Sequence, residues 1–173
     1  MAEKRNERDV IVDHPNRDKA AVKATKGIVI LLLLASVALM LIVTIGGWSV
    51  LVGMQPVQIG FILVYLLLAF YAARWNRGVL PVAAALAIIL LIFAAVAGPE
   101  WFARDKPGFA QPDLPANLLG LITLLLVPVQ ILLIAFAMRG FQHDWHVEVE
   151  RPTDEHYGRG EGFGPGDPGP QPA

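Results

Sequence analysis

GIVILLLLASVALMLIVTIGGWSVLVGMQPVQIGFILVYLLLAFYAA, residues 27–73, holds 47 positions without a charge, closed by Lys26 and Arg74. As one helix it would be roughly 70 Å long, against a bilayer hydrocarbon core of about 30 Å. It is therefore read as two membrane spans, with a turn near Gly46-Gly47 or between Gly53 and Pro56. Two further charge-free runs follow, Gly78 to Pro99 with 22 residues and Leu114 to Met138 with 25. The sequence predicts an all-α integral membrane protein, a bundle of four transmembrane helices.

The expected spans are 27–45, 57–73, 79–97 and 117–138, inside a membrane domain of residues 27–142. Pro56 and Pro81 suit first-turn positions, where a missing N–H costs nothing. Asn117 is a plausible N-cap for the fourth span. Prolines at 99, 107, 112 and 115 leave no room for a long helix in the third connection, although PEWFAR has the composition for one helical turn. Residues 1–26 form a polar tail whose last part, AAVKATK, is able to extend the first helix. The first span reads as a retained anchor rather than a cleaved signal, since a 26-residue polar tail precedes it. Residues 143–173 form a second tail. From Gly158 it has ten Gly or Pro among 16 residues, a composition that favours disorder.

Orientation follows from Lys and Arg near the span ends. The N-terminal tail carries seven, the Arg74–Arg77 turn two, and Arg139 stands at the last span's end. On the other side only Arg104 and Lys106 occur. Both termini are thus expected in the cytoplasm, with the protein multi-pass in the plasma membrane. Trp48 and Trp101 would fall at outer span ends and Trp75 and Trp145 at inner ones, as interfacial aromatics do.

The chemistry is defined mostly by what the spans lack. They contain no Asp, Glu, Lys, Arg, His or Cys. Proton-coupled transport and intramembrane haem need ionisable or ligating groups at depth, which are costly there and seldom present without use. Four-span transporters of the small multidrug type carry an acid in their first span, and quinone-linked thiol oxidoreductases need cysteines. This chain departs from both. A net charge of −1 argues against nucleic acid as a partner. No cofactor is implied, and no catalytic constellation stands out. An enzyme acting at the membrane surface would have to draw on Glu100, Arg104 and Asp113.

Few polar residues remain at depth. Tyr65 and Gln130 each lie nine residues before an arginine, Arg74 and Arg139. On two helices running the same way this puts both about 13–14 Å above the interface. The expectation is a shared polar spot between neighbouring spans 2 and 4, as packing glue or as the wall of a ligand or quinone pocket. Pro128 frees the carbonyl of Leu124, so a kink is expected there. The pairs Ala83/Ala87 and Ala94/Gly98 let another backbone approach, inside the bundle or on a partner.

Two cytosolic features complete the reading. His143, Asp144 and His146 have ligand-type side chains, but two imidazoles fall short of the three or four ligands of a metal site, and an ordinary juxtamembrane segment is expected. WHVEVE alternates at strand period, with Trp145, Val147 and Val149 on one face. It is read as disordered, as pairing with Val10–Val12 in a ribbon, or as a strand docking on a partner. The functional expectation is a non-enzymatic accessory, scaffold or assembly subunit that packs against a larger membrane protein or a second copy of itself. The alternative is an oligomeric transporter or channel component with a path near Tyr65, Pro128 and Gln130.

Overall fold

The three charge-free runs form four helices. The computed structural model describes residues 10–13, 19–104, 106–142 and 149–152. The helices are α1 (Ala20–Gly46), α2 (Gln55–Ala73), α3 (Val79–Ala103) and α4 (Ala116–Gln142). Each is long and apolar enough to cross a bilayer, the pattern of a multi-pass membrane protein. All lack the amphipathic stripe of a soluble helix, and large side chains such as Leu31, Leu63, Val96 and Leu121 are exposed around the outside. In water that surface would be untenable, whereas lipid requires it.

The helices pack in chain order around the bundle. α1 lies against α2 and α4, α3 lies most extensively against α4, and the α2–α3 seam is thin. Short connections make sequential neighbours antiparallel. Lys26 at the start of α1 donates to the carbonyl of Ala73 at the end of α2 (2.7 Å). The Leu114 amide, just before α4, donates to the Gly46 carbonyl at the end of α1 (3.0 Å). The bundle thus has one end holding the starts of α1 and α3, and a loop end holding residues 47–54 and 106–115.

The main core runs through Val29, Leu33, Leu80, Ala87 and Leu133. A second cluster at the loop end joins Val43, Trp101, Ala116 and Leu119. That second cluster explains a departure from the sequence reading. α3 does not stop near residue 97; it continues through Pro99 to Ala103. Pro99 forfeits the bond to the Ala95 carbonyl, and burial of Trp101, 6% exposed, outweighs the loss. PEWFA is therefore the last part of α3 and not a separate turn.

Two further expectations are corrected. α4 begins at Ala116, so Asn117 lies inside its first turn instead of capping it. α2 and α4 are not neighbours: they face each other diagonally across the bundle, with no packed seam between them. A four-helix ring in chain order forces this, because spans running the same way are never adjacent in it. The small pairs Ala83/Ala87 and Ala94/Gly98 are all buried within the bundle.

The polar tails contribute a separate unit. In it, β1 (Val10–Asp13) pairs antiparallel with β2 (Val149–Pro152), Val12 opposite Glu150 and Asp13 opposite Val149. Of the three readings, pairing within the chain is the one the backbone shows, in a register further along than the alternating run suggested. Val149 is the first residue of β2. Trp145 and Val147 lie outside the described residues, as do the Gly/Pro-rich stretch from residue 158 and His143, Asp144 and His146.

Candidate functional site

Three polar side chains at the bundle centre form one chain. Tyr65 Oη donates to Gln130 Oε1 (2.9 Å), and Gln130 Nε2 donates to Ser36 Oγ (2.8 Å). Ser36 Oγ in turn donates to the Leu32 carbonyl (2.8 Å). All three side chains are 0% exposed. Every donor faces an acceptor in the same sense, so both hydroxyls are satisfied. The chain joins α2, α4 and α1 across the diagonal, in the fully buried centre of the bundle. Each such bond is worth about 0.6 kcal/mol in a bilayer setting.

Sequence reasoning found Tyr65 and Gln130 and missed Ser36. Its signal was available. Ser36 lies ten residues after Lys26, as Tyr65 lies nine before Arg74, which puts it about 15 Å above the same interface. A serine in a helix usually bonds back to its own i−4 carbonyl, and Ser36 does that as well as accepting from Gln130.

One turn toward the loop end, the bundle is hollow. A cavity of about 220 Å³ lies among α1, α2 and α3, with Thr123 and Leu126 of α4 at its back. Met40, Phe61 and Leu126 bound it; each lies four residues from Ser36, Tyr65 or Gln130, so the polar chain underlies the cavity. Phe61 rests against the Tyr65 ring at 6.3 Å and meets Phe93 of α3 edge-on at 6.1 Å. Glu100, Trp101 and Arg104 complete the wall nearest the loops. Asp113 is exposed and does not line the cavity.

A second interhelical pair stands beside the cavity, with Gln58 in its wall. Thr44 Oγ1 contacts both the Met40 carbonyl (2.7 Å) and the Gln58 side-chain amide. A hydroxyl has one proton, so both contacts are satisfied when the Gln58 amide presents its nitrogen to Thr44. Pro128 lies inside α4, which runs through it as one helix. It takes no part in the polar chain and does not line the cavity.

At the opposite end, Trp75 has φ of 63°, the left-handed region that favours glycine. It closes α2 in a Schellman arrangement, Asn76 N–H to the Tyr71 carbonyl and Trp75 N–H to the Ala72 carbonyl, each 3.1 Å. Lys26 Nζ lies 3.7 Å from the centre of the Trp75 ring. Cation–π attraction and the packing of the ring on the core offset a backbone cost of about 1–2 kcal/mol.

Among the described residues no three His, Asp or Glu side chains gather as metal ligands would. Comparison with known protein families, with curated proteins and with solved structures finds no match in any of the three. Fold and site together define a class only: a four-helix bundle with the surface of a multi-pass membrane protein, a satisfied polar centre, and a half-depth hollow.

Proposed function

We propose that the chain is a non-catalytic membrane subunit that works by packing, as an accessory or assembly component beside a larger membrane protein or a second copy of itself. The observation that carries this reading is the closed hydrogen-bond chain Tyr65–Gln130–Ser36. A transport path needs polar groups that exchange partners with a passing solute, and a catalytic site needs groups left reactive. Here the buried polar side chains at the bundle centre spend their bonds on one another. The apolar exterior offers broad contact area and little chemistry. The alternative, a transporter or channel component with a path near Tyr65, Pro128 and Gln130, must break that chain to open.

The bilayer is the plasma membrane in this reading, with both termini cytoplasmic, on the strength of the lysine and arginine bias. The chain has no cysteine, so single cysteines report position without background. A cysteine replacing Gln111 should react with an impermeant thiol reagent on intact cells, and one replacing Ala2 should not. Reversal of that pattern would invert the topology.

The functional test is paired. Purification from native membranes in mild detergent should recover one membrane partner, or a second copy, at fixed stoichiometry. The same protein in sealed proteoliposomes should pass neither ions nor small solutes above the empty-vesicle rate. Flux that depends on the protein and changes in Gln130→Leu would replace the packing reading with the transport one.

A further inference from the structure

The cavity at the loop end is not accounted for by a packing role. In a bundle held by close approach, a hollow forfeits contacts and is normally filled. Its volume, about 220 Å³, exceeds the roughly 150 Å³ of an apolar cavity that takes up benzene. It falls below the roughly 300 Å³ at which sites for whole small molecules begin. That range suits a segment of a longer apolar molecule. Its lining is of the same kind: Met40, Val43, Met54, Phe61, Leu90 and Phe93 supply the walls. Ala94 and Ala97 leave room where larger residues would close it. Because the α2–α3 seam is thin, the hollow lies beside the one interface that separates with least loss of contact, on the face where lipid lies.

The polar end of the cavity names the ligand's other half. Glu100 in the last turn of α3 and Arg104, the residue that caps it, both line the cavity and lie one helical turn apart. Their Cβ atoms are therefore about 6 Å apart. Among the described residues no ion pair joins these two side chains; the contact seen for Arg104 is its guanidinium 6.0 Å from the Trp101 ring. Opposite charges at this spacing, unjoined and beside an apolar hollow, complement a head that carries both signs. A purely anionic head would meet Glu100, and a cationic one Arg104.

We propose that this cavity binds one acyl chain of a zwitterionic phospholipid from the surrounding bilayer. The phosphate lies against Arg104 and the ammonium against Glu100. The chain end reaches down to Phe61 and Leu126 and stops above the Tyr65–Gln130–Ser36 plug. The assignment is independent of whether the protein is a packing subunit or a transporter.

The experiment reconstitutes the full chain in phosphatidylcholine vesicles containing a trace of phosphatidylcholine with a photoreactive diazirine in the distal half of one chain. After illumination, adducts are mapped by peptide mass spectrometry. Adducts at the cavity-lining Met40, Phe61 and Leu126, of which Met40 and Leu126 are buried from the outer surface, should exceed those at Leu67 and Ile131, which face outward at 52% and 54% exposure. Ala97 is exposed and lines the cavity, so Ala97→Trp fills the space from the lipid side with little demand on the core. It should remove the cavity adducts and leave those at Leu67 and Ile131. An alkyl phosphocholine should compete about tenfold better than an alkyl sulfate of equal chain length, and Glu100→Gln/Arg104→Gln should erase that preference. Adducts spread evenly over cavity and outer positions would overturn the proposal. So would persistence of the cavity adducts in Ala97→Trp, or equal competition by the two amphiphiles.

Discussion

α3 has two seams, and they differ in kind. Toward α4 it presents small residues, and at Gly98 the fit is so close that an added Cβ would come within 2.5 Å of Leu124. Toward α2 it presents Phe93, whose ring meets Phe61 edge-on and holds the helices apart over a hollow. Both seams are apolar, so hydrophobicity does not distinguish them. In lipid, tails are as apolar as leucine, and helices associate where backbones come close. Side-chain size along α3 therefore decides which neighbour it grips.

The strongest way to break the comparison is to enlarge the close seam. Gly98→Val should destabilise by about 3 kcal/mol, the upper part of the overpacking range, read by thermal or denaturant unfolding in detergent. Adding Leu124→Ala should recover part of the loss. Tolerance of Gly98→Val alone would mean that the α3–α4 seam is looser than its geometry. At the wide seam, Phe93→Ala should cost only about 1 kcal/mol, because the half-exposed ring gives up one aromatic pair and modest burial. A larger loss there than at Gly98 would reverse the ranking of the seams.

The diagonal link is sharper still as a test. A double-mutant cycle of Tyr65→Phe and Gln130→Leu should give a coupling of about 0.6 kcal/mol, the usual value for such bonds in membranes. A coupling of zero would mean that the two groups do not bond in the folded protein. Smallest is Lys26→Met, at about 0.5 kcal/mol, since the hydrogen bond to the Ala73 carbonyl that it removes together with the cation–π contact is exposed. Its loss should fall on α2, which α3 holds so lightly, and appear as faster amide exchange near Ala73 with little change in the core around Leu133.

The helices themselves were legible in the sequence, because absence of charge over a bilayer's thickness admits one backbone solution. Depth was legible too: counting from Arg74 and Arg139 put Tyr65 and Gln130 level, and they bond. Adjacency was not legible. Equal depth says nothing about whether two helices share a seam, and the link turned out to cross the diagonal. The end of α3 was misread because Pro99 signals a stop locally, while the burial of Trp101 is a tertiary gain that no window of sequence contains. The cavity was equally hidden. It arises from Phe61 and Phe93 meeting across two helices, with Ala94 and Ala97 beside them, and the pairing exists only once the bundle is assembled.

Trp75 bears on where this protein can be engineered. The turn between α2 and α3 is the five residues Arg74–Gly78 and would ordinarily be an inviting place for an epitope or a rigid fusion. Its left-handed tryptophan is held by a lysine from a third helix, so an insertion there would cut a three-helix fastening instead of lengthening a loop. Residues 106–111 are exposed throughout, and their turn is made by Gly108 at φ 98°. A fiducial domain for imaging belongs there, after Gly108, where the chain leaves and returns without any helix depending on it.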